Sequence, residues 1–446
     1  MNTPIYDFAR SYADKNTLRL HMPGHKGVSM LGCEALDITE IGGADSLYDA
    51  EGIILESENN AASLFGSGHT FYSTEGSSLC IRAMLCLIKR HAESLGKSTR
   101  ILAGRNAHKT FITAAALLDI EVDWLFPEGG TYLSCEISAD TLENILSKSS
   151  EKLSAVYLTS PDYLGNIAEI EKIARVCKVY GVLLAVDNAH GAYLKFLSPS
   201  RHPIDLGAHI CCDSAHKTLP VLTGGAYLHI SKEAHSVFAR EARSALSLFG
   251  STSPSYLILE SLDLANRYIA KGYPEKLSEF IGLTERLKDT LTKKGFVLVG
   301  NEPLKLTVSA RHIGYRGDEL ALEIEKRGGV CEFSDPDFTV MMLSPEIGPD
   351  GLLHIEEILS DIQIKEALAL NSLKLPRLKA AIPPKAALFS DSEELSVDDC
   401  IGRIQASASV SCPPAIPIVV CGEVIDEVSA EILKYYGVKK CRVVKN

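Results

Sequence analysis

A lysine and an aspartate 30 residues apart carry the strongest chemical signal in this chain. Lys217 ends the run Asp213-Ser214-Ala215-His216-Lys217, and Asp187 closes the apolar stretch Val182-Leu183-Leu184-Ala185-Val186. That stretch reads as a buried strand. An amine and a carboxylate at the mouths of neighbouring parallel strands are what pyridoxal phosphate needs. The amine holds the aldehyde as a Schiff base, and the carboxylate pairs with the protonated pyridine nitrogen. The pairing keeps the ring an electron sink for charge developing at a substrate α-carbon. Each residue alone has a plainer reading. A lysine after a serine-rich turn is usually a surface residue, and an aspartate at a strand end often caps the next helix. Three further features favour the cofactor: His190 in Asp187-Asn188-Ala189-His190-Gly191, the return strand Gly224 to Ile230, and two upstream loops.

The first of these loops is Thr74-Glu75-Gly76-Ser77-Ser78, before the apolar helix Leu79 to Ile88. Gly-Ser-Ser at a helix start offers N–H groups, hydroxyls and the positive dipole end to a phosphate. Serine is also a common helix cap, so the pattern gains its meaning from Lys217 downstream. The second is Asn106-Ala107-His108-Lys109, after the strand candidate Ile101-Leu102-Ala103. An imidazole there could stack on the pyridine ring, or simply be a satisfied polar group. His21-Met22-Pro23-Gly24-His25-Lys26-Gly27 sets two histidines four apart, but the intervening Pro23 and Gly24 oppose a helix. It reads as a loop over an active site, and no metal site is expected.

With 446 residues the chain can bury a large core and form two or three domains. Its 46% hydrophobic and 23% charged residues are ordinary for a soluble protein. The net charge is −12 and the basic residues form no block, which argues against nucleic-acid or membrane binding. The start lacks the signature of a signal peptide and no apolar run could cross a bilayer, so the cytoplasm is expected. Twelve cysteines include no Cys-x-x-Cys pair, so most are expected to be buried thiols. Trp124, in Val122-Asp123-Trp124-Leu125-Phe126, is read as packing.

From about residue 60 to 230, strand-like runs alternate with helical patterns. Ala155 to Thr159 reads as a strand. Glu169 to Tyr180 reads as a helix, with Ile170, Ile173, Ala174 and Cys177 on one face. This alternation predicts a mostly parallel sheet covered by helices, with ligands at the carboxyl ends of the strands. A long helical stretch is predicted from Leu257 to about Lys293. Strands at Phe296 to Val299 and Leu304 to Ser309 follow, then a helix at Asp318 to Arg327. The expected division is an N-terminal arm with an active-site loop (1–60), a cofactor-binding large domain (61–265), a small α+β domain (266–370) and a C-terminal domain (371–446). The prolines of that last segment suggest turns and edge strands.

The chain resembles the short, bacterial-type ornithine/lysine/arginine decarboxylases of fold type I. The likeness rests on His21 to Gly27, Asp37-Ile38-Thr39-Glu40, Asp45-Ser46-Leu47-Tyr48, Asp187 to Gly191, Asp213 to Lys217, Ser251-Thr252-Ser253-Pro254-Ser255-Tyr256 and the region from Gly402-Arg403-Ile404 to Gly422-Glu423. It implies an α/β large domain with a mostly parallel seven-stranded sheet, a small α+β domain and a C-terminal appendage. It implies that Lys217 carries the cofactor, Asp187 pairs with the ring nitrogen, His108 stacks on the ring and His190 lines it. Gly76, Ser77, Ser78, Ser214 and His216 would surround the phosphate, and Thr252 would reach a partner subunit's site. The implied assembly is a homodimer or larger homo-oligomer with active sites at the interface. The implied reaction is α-decarboxylation of arginine, lysine or ornithine to a polyamine-pathway amine and CO2.

Within that reading, Lys217 or His216 could return a proton to the product, and Asp45, Asp49 and Glu51 are candidates for the substrate's distal cation. Aminotransfer or another lyase reaction is the alternative, with Arg311 or Arg316 holding a carboxylate, and a silent cofactor-binding regulator is a second. Two departures from the family pattern stand out. Glu75 occupies a place usually small or amide, where a carboxylate must point away or be paired. The last motif reads Cys412-Pro413-Pro414-Ala415-Ile416-Pro417 with Cys421-Gly422-Glu423, in place of Tyr-Pro-Pro-Gly-Ile-Pro with Pro-Gly-Glu.

Overall fold

The run before Asp187 forms the strand its composition requires, within an α/β architecture. The computed structural model describes residues 1–127, 131–149, 153–370, 375–408 and 414–445. Seven strands, β1 (His69–Ser73), β2 (Arg100–Gly104), β3 (Glu121–Leu125), β4 (Ala155–Thr159), β5 (Leu183–Asp187), β6 (Ile210–Asp213) and β7 (Ala226–Ile230), form one sheet. Their order is β1-β7-β6-β5-β4-β2-β3. The pairs β5–β6 and β2–β3 are parallel, whereas β7 is antiparallel to both β6 and β1. The predicted mostly parallel sheet with a return strand is therefore present.

The chain divides into two compact units. The first gathers residues 1–99, 145–158 and 170–277. In it Leu184, Ala185 and Val186 are fully buried on β5. The helix Ile170–Tyr180 buries Ile170, Ile173, Ala174 and Cys177, the face its spacing predicts. The helix Gly76–Ser94 packs on β6 and β7 through a nearly continuous apolar surface. The N-terminal helix Pro4–Asp14 is docked at its start. Asp263 accepts from the backbone N–H groups of Ile5 and Tyr6 at 2.9 and 3.1 Å, two donors that no helical carbonyl can reach.

The second unit gathers residues 100–144, 159–169 and 278–446. It holds an antiparallel sheet of β8 (Leu298–Val299), β9 (Lys305–Ser309), β10 (Phe333–Ser334) and β11 (Phe338–Met342), in the order β10-β11-β9-β8. A ladder of β12 (Ser392–Ser396) with β13 (Lys440–Val444) belongs to the C-terminal segment. Ile416, Ile418, Val419, Leu433 and Val443 share a buried cluster there, so this segment is packed.

One element differs from expectation. The single long helix predicted after Leu257 is two helices, Tyr256–Ala270 and Tyr273–Lys293. Gly272 takes a left-handed φ of +92°, and Pro274 falls in the first turn of the second helix. A proline inside an unbroken helix would clash with the preceding turn, but in a first turn it is tolerated. Of the described cysteines, Cys80, Cys86, Cys177, Cys211, Cys212, Cys400, Cys421 and Cys441 are buried thiols. Among the described residues no helix is long and apolar enough to cross a membrane.

Candidate active site

Asp187 pairs with Cys212 across the parallel β5–β6 ladder, so both strands end on the same edge of the sheet. Beyond β6, one short helical turn, Ala215–Thr218, carries Lys217 back to that edge. Lys217 Nζ lies 2.9 Å from Nε2 of buried His190, which follows Asp187 by three residues. Asp187 is 2% exposed. Its carboxylate accepts from the Ala189 N–H at 3.2 Å and the Tyr157 hydroxyl at 3.3 Å, and lies 3.7 Å from the Cys212 thiol. Burial pushes its pKa up, and Lys217 opposes the rise. An amine, an imidazole and a buried carboxylate thus converge within the first unit.

The two segments are tied together beneath the site. Asp213 is fully buried and accepts from Asn188 Nδ2 at 2.7 Å, His202 Nε2 at 3.0 Å and His229 Nε2 at 3.2 Å. Burial alone would raise its pKa, but the two imidazoles hold it well below the usual carboxylate range. His202, Cys211 and Asp213 bring ligand-type atoms within 4.8 Å of one another. The Asp213 oxygens are already engaged by the imidazoles and the amide, so the group reads as a hydrogen-bond network. Asn188 and Asp213 stood in plain view inside the quoted motifs. The histidine partners of Asp213 come from separate segments and carried no local signal.

Gly76-Ser77-Ser78 opens a helix, as its sequence predicts. Gly76 takes a φ of +70°, and its N–H donates to the Gly224 carbonyl at 2.7 Å. A Cβ at Gly76 would meet nothing within 4 Å, so the space before the helix is open. Ser214 Oγ donates to Ser77 Oγ at 2.8 Å, bringing together hydroxyls 137 residues apart in sequence. Ser78 lies in the same first turn, whose N–H groups no intrahelical carbonyl reaches. His216 Nδ1 donates to the Gly225 carbonyl at 2.9 Å. Glu75 is exposed and its Oε1 accepts from the Ser251 N–H at 2.6 Å. Its carboxylate is therefore paired with the exposed loop that carries Thr252. Glu75, which together with the altered last motif motivates the silent-binder reading, lends that reading nothing in this geometry.

The N-terminal loop separates its acids. Asp45 accepts from the N–H groups of Ser46, Glu51, Gly52 and Ile54 at 2.9–3.1 Å. Burial acts to raise its pKa, but these four donors bring it below the usual range. The Tyr256 hydroxyl anchors the same loop by donating to the Asp45 carbonyl at 2.6 Å. Asp45 thus holds the loop, whereas Asp49 and Glu51 are exposed. In the second unit His108 caps the helix Lys109–Leu117, accepting from the Thr110 N–H through Nδ1 at 3.1 Å, which leaves the proton on Nε2. Arg311 Nε donates to the Ala369 carbonyl at 2.8 Å, and Arg316 forms a two-pronged pair with Asp318 at 3.0 Å. Both guanidinium groups considered for an aminotransferase carboxylate clamp are so engaged. Cys412 lies outside the described residues.

The chain matches the family model described as "Orn/Lys/Arg decarboxylase, major domain" over residues 3–309, and its C-terminal domain model over residues 367–441. It is 29% identical to a Bacillus subtilis protein named only as uncharacterized protein YaaO, over 97% of this chain and 94% of that one. It is 27% identical to a Halalkalibacterium halodurans arginine decarboxylase, over 95% and 91% of the two chains. Among solved structures, the Francisella novicida lysine decarboxylase LdcF shares its fold, with a TM-score of 0.79 at 17% identity over 99% of this chain and 81% of that one.

Proposed function

The chain belongs to the Orn/Lys/Arg decarboxylase family, and on that premise we propose that it decarboxylates arginine. It is a decarboxylase of basic amino acids that uses pyridoxal phosphate. Arginine ranks first because the Halalkalibacterium arginine decarboxylase is similar over nearly its whole length. The observation that carries the reading is the Lys217–His190 contact of 2.9 Å beside buried Asp187.

The donor set fits the cofactor. Lys217 offers a covalent tether and Asp187 a carboxylate for the pyridine nitrogen. Ser77, Ser78, Ser214 and the helix start at Gly76 offer hydroxyls and N–H groups to a phosphate, and the open space before Gly76 gives it room. His216 borders this cradle, and His108 is proposed as the ring-stacking residue. When bound, pyridoxal phosphate supplies the electron sink for the pair left by the departing carboxylate.

The remaining work falls to side chains of this chain. His190 Nε2 can accept a proton from the Lys217 ammonium, leaving a nucleophilic amine. Burial raises the pKa of Asp187, and its carboxylate would face the ring nitrogen when the cofactor is bound. The Nδ1 proton of His216 is engaged by Gly225 O at the edge of the loop. Lys217 is the group proposed to return a proton to the product carbon. Asp49 and Glu51 are proposed to meet the substrate's distal cation. The active form is proposed as a cytoplasmic homodimer or larger homo-oligomer, with Thr252 reaching the partner's site and the product amine feeding polyamine synthesis.

Borohydride reduction of the cofactor-loaded protein, followed by peptide mapping, tests the assignment. The covalent mark is expected on Lys217. A mark on another lysine, or none on a yellow protein, contradicts it.

A further inference from the structure

The turn between β2 and the helix Lys109–Leu117 is Arg105-Asn106-Ala107-His108, and it is gripped at both ends by the C-terminal segment of the same unit. At its start, the Arg105 guanidinium is 2% exposed and pairs with Glu423, 5% exposed, at 3.0 Å. It also donates to the carbonyls of Pro417 and Ile418 at 3.2 and 2.9 Å, and lies 5.2 Å from the centre of the Trp124 ring. Glu423 is held in turn by the Val420 N–H at 2.7 Å. At the turn's far end, the Lys109 N–H donates to the Ala415 carbonyl at 2.8 Å. That donor belongs to the first helical turn and has no helical acceptor. Ala415 presents its carbonyl from a left-handed φ of +59°, where L-residues rarely rest. His108 sits between the two grips.

We propose that the C-terminal segment positions His108, with Arg105 and Glu423 as the positioning residues. A buried fork on a carboxylate and two carbonyls fixes direction as well as distance, which a lone cation would not. Residue 415 keeps this left-handed turn although it is alanine, where the resembled pattern has glycine. The inference rests on the ring-stacking role proposed for His108.

The test compares cofactor-loaded wild type with Arg105→Lys, Glu423→Gln, the charge-neutral pair Arg105→Gln/Glu423→Gln, and His108→Ala. The neutral pair avoids leaving one buried charge alone, so it gives a folded variant should a single change not fold. For each, thermal melting reports folding, and visible circular dichroism of the bound cofactor reports ring packing. Steady-state decarboxylation separates kcat from KM. The expected result is folded protein with a weakened cofactor dichroism and kcat lowered roughly 10- to 100-fold at little change in KM. Adding His108→Ala to Glu423→Gln is expected to cost no more than His108→Ala alone. Folded clamp variants with normal dichroism and kcat, beside a damaged His108→Ala, would overturn the clamp and leave the stacking role standing. A silent His108→Ala would overturn the stacking role, and the positioning claim with it.

Discussion

Asn188 donates to Asp213 at 2.7 Å, joining the residue after Asp187 to the strand end four residues before Lys217. The relative position of Asp187 and Lys217 therefore depends on Asp213 as well as on the β5–β6 ladder. Its pKa is depressed in the fold, so its stabilising contribution is present above the unfolded carboxylate pKa and is lost as pH falls through the folded value. At neutral pH the contribution is complete. Asp213→Asn leaves two buried imidazoles facing an amide and should cost about 3 kcal/mol or more in urea unfolding. The cofactor should also dissociate at least several-fold more readily. Unchanged unfolding and unchanged cofactor affinity would remove Asp213 from this role.

Glu260 predicts a pH effect of the opposite sign. It is 3% exposed, and its Oε1 finds no hydrogen-bond partner among the described residues. Burial, then the nearby Asp37 and Asp263, push its pKa up to about 8. The folded state therefore binds this proton more tightly than the unfolded one. Stability falls as pH rises from the unfolded value, and the cost is complete above the folded one. Glu260→Gln should raise the melting temperature by a few degrees at about pH 9 and by much less at about pH 5. An equal shift at both would show that ionisation is not the cause.

The N-terminal acids should separate by their effects. Asp45→Asn replaces a carboxylate that accepts four N–H bonds, so it should cost roughly 1–3 kcal/mol of stability. Asp49→Asn and Glu51→Gln should leave stability within about 0.5 kcal/mol and raise KM for the substrate. Melting curves beside steady-state kinetics check both halves.

Ala415→Gly removes a Cβ from a left-handed residue and should stabilise the protein by about 0.5–1 kcal/mol. A shift of the denaturant midpoint to higher concentration is the expected reading. A shift the other way would mean that the turn gains more from alanine's lower chain entropy than it loses to strain.

The placement of Asp187, Lys217 and Gly76 to Ser78 was legible in the sequence because they sit at strand ends and helix starts. The strand before Asp187, the Gly76-Ser77-Ser78 helix start and the buried face of Ile170 to Cys177 follow from composition and period alone. The resemblance supplied the joining of these parts. What stayed hidden depends on contacts between remote segments. Asp213 with His202 and His229, Glu75 with Ser251, and Arg105 with Glu423 leave no local pattern. Asp45 looked like a substrate acid because sequence shows a charge but not the N–H groups around it. The helix break at Gly272 was readable in principle from the Gly-Tyr-Pro sequence, but the apolar period on both sides masked it.

The central claim is most directly tested by CO2 release from 1-carboxyl-labelled arginine, lysine and ornithine, with the cofactor added and Lys217→Ala as control. The account predicts release from arginine in preference to the other two, and none from the Lys217→Ala protein. No release from any of the three by a yellow, cofactor-loaded wild type, or undiminished release by Lys217→Ala, would contradict it.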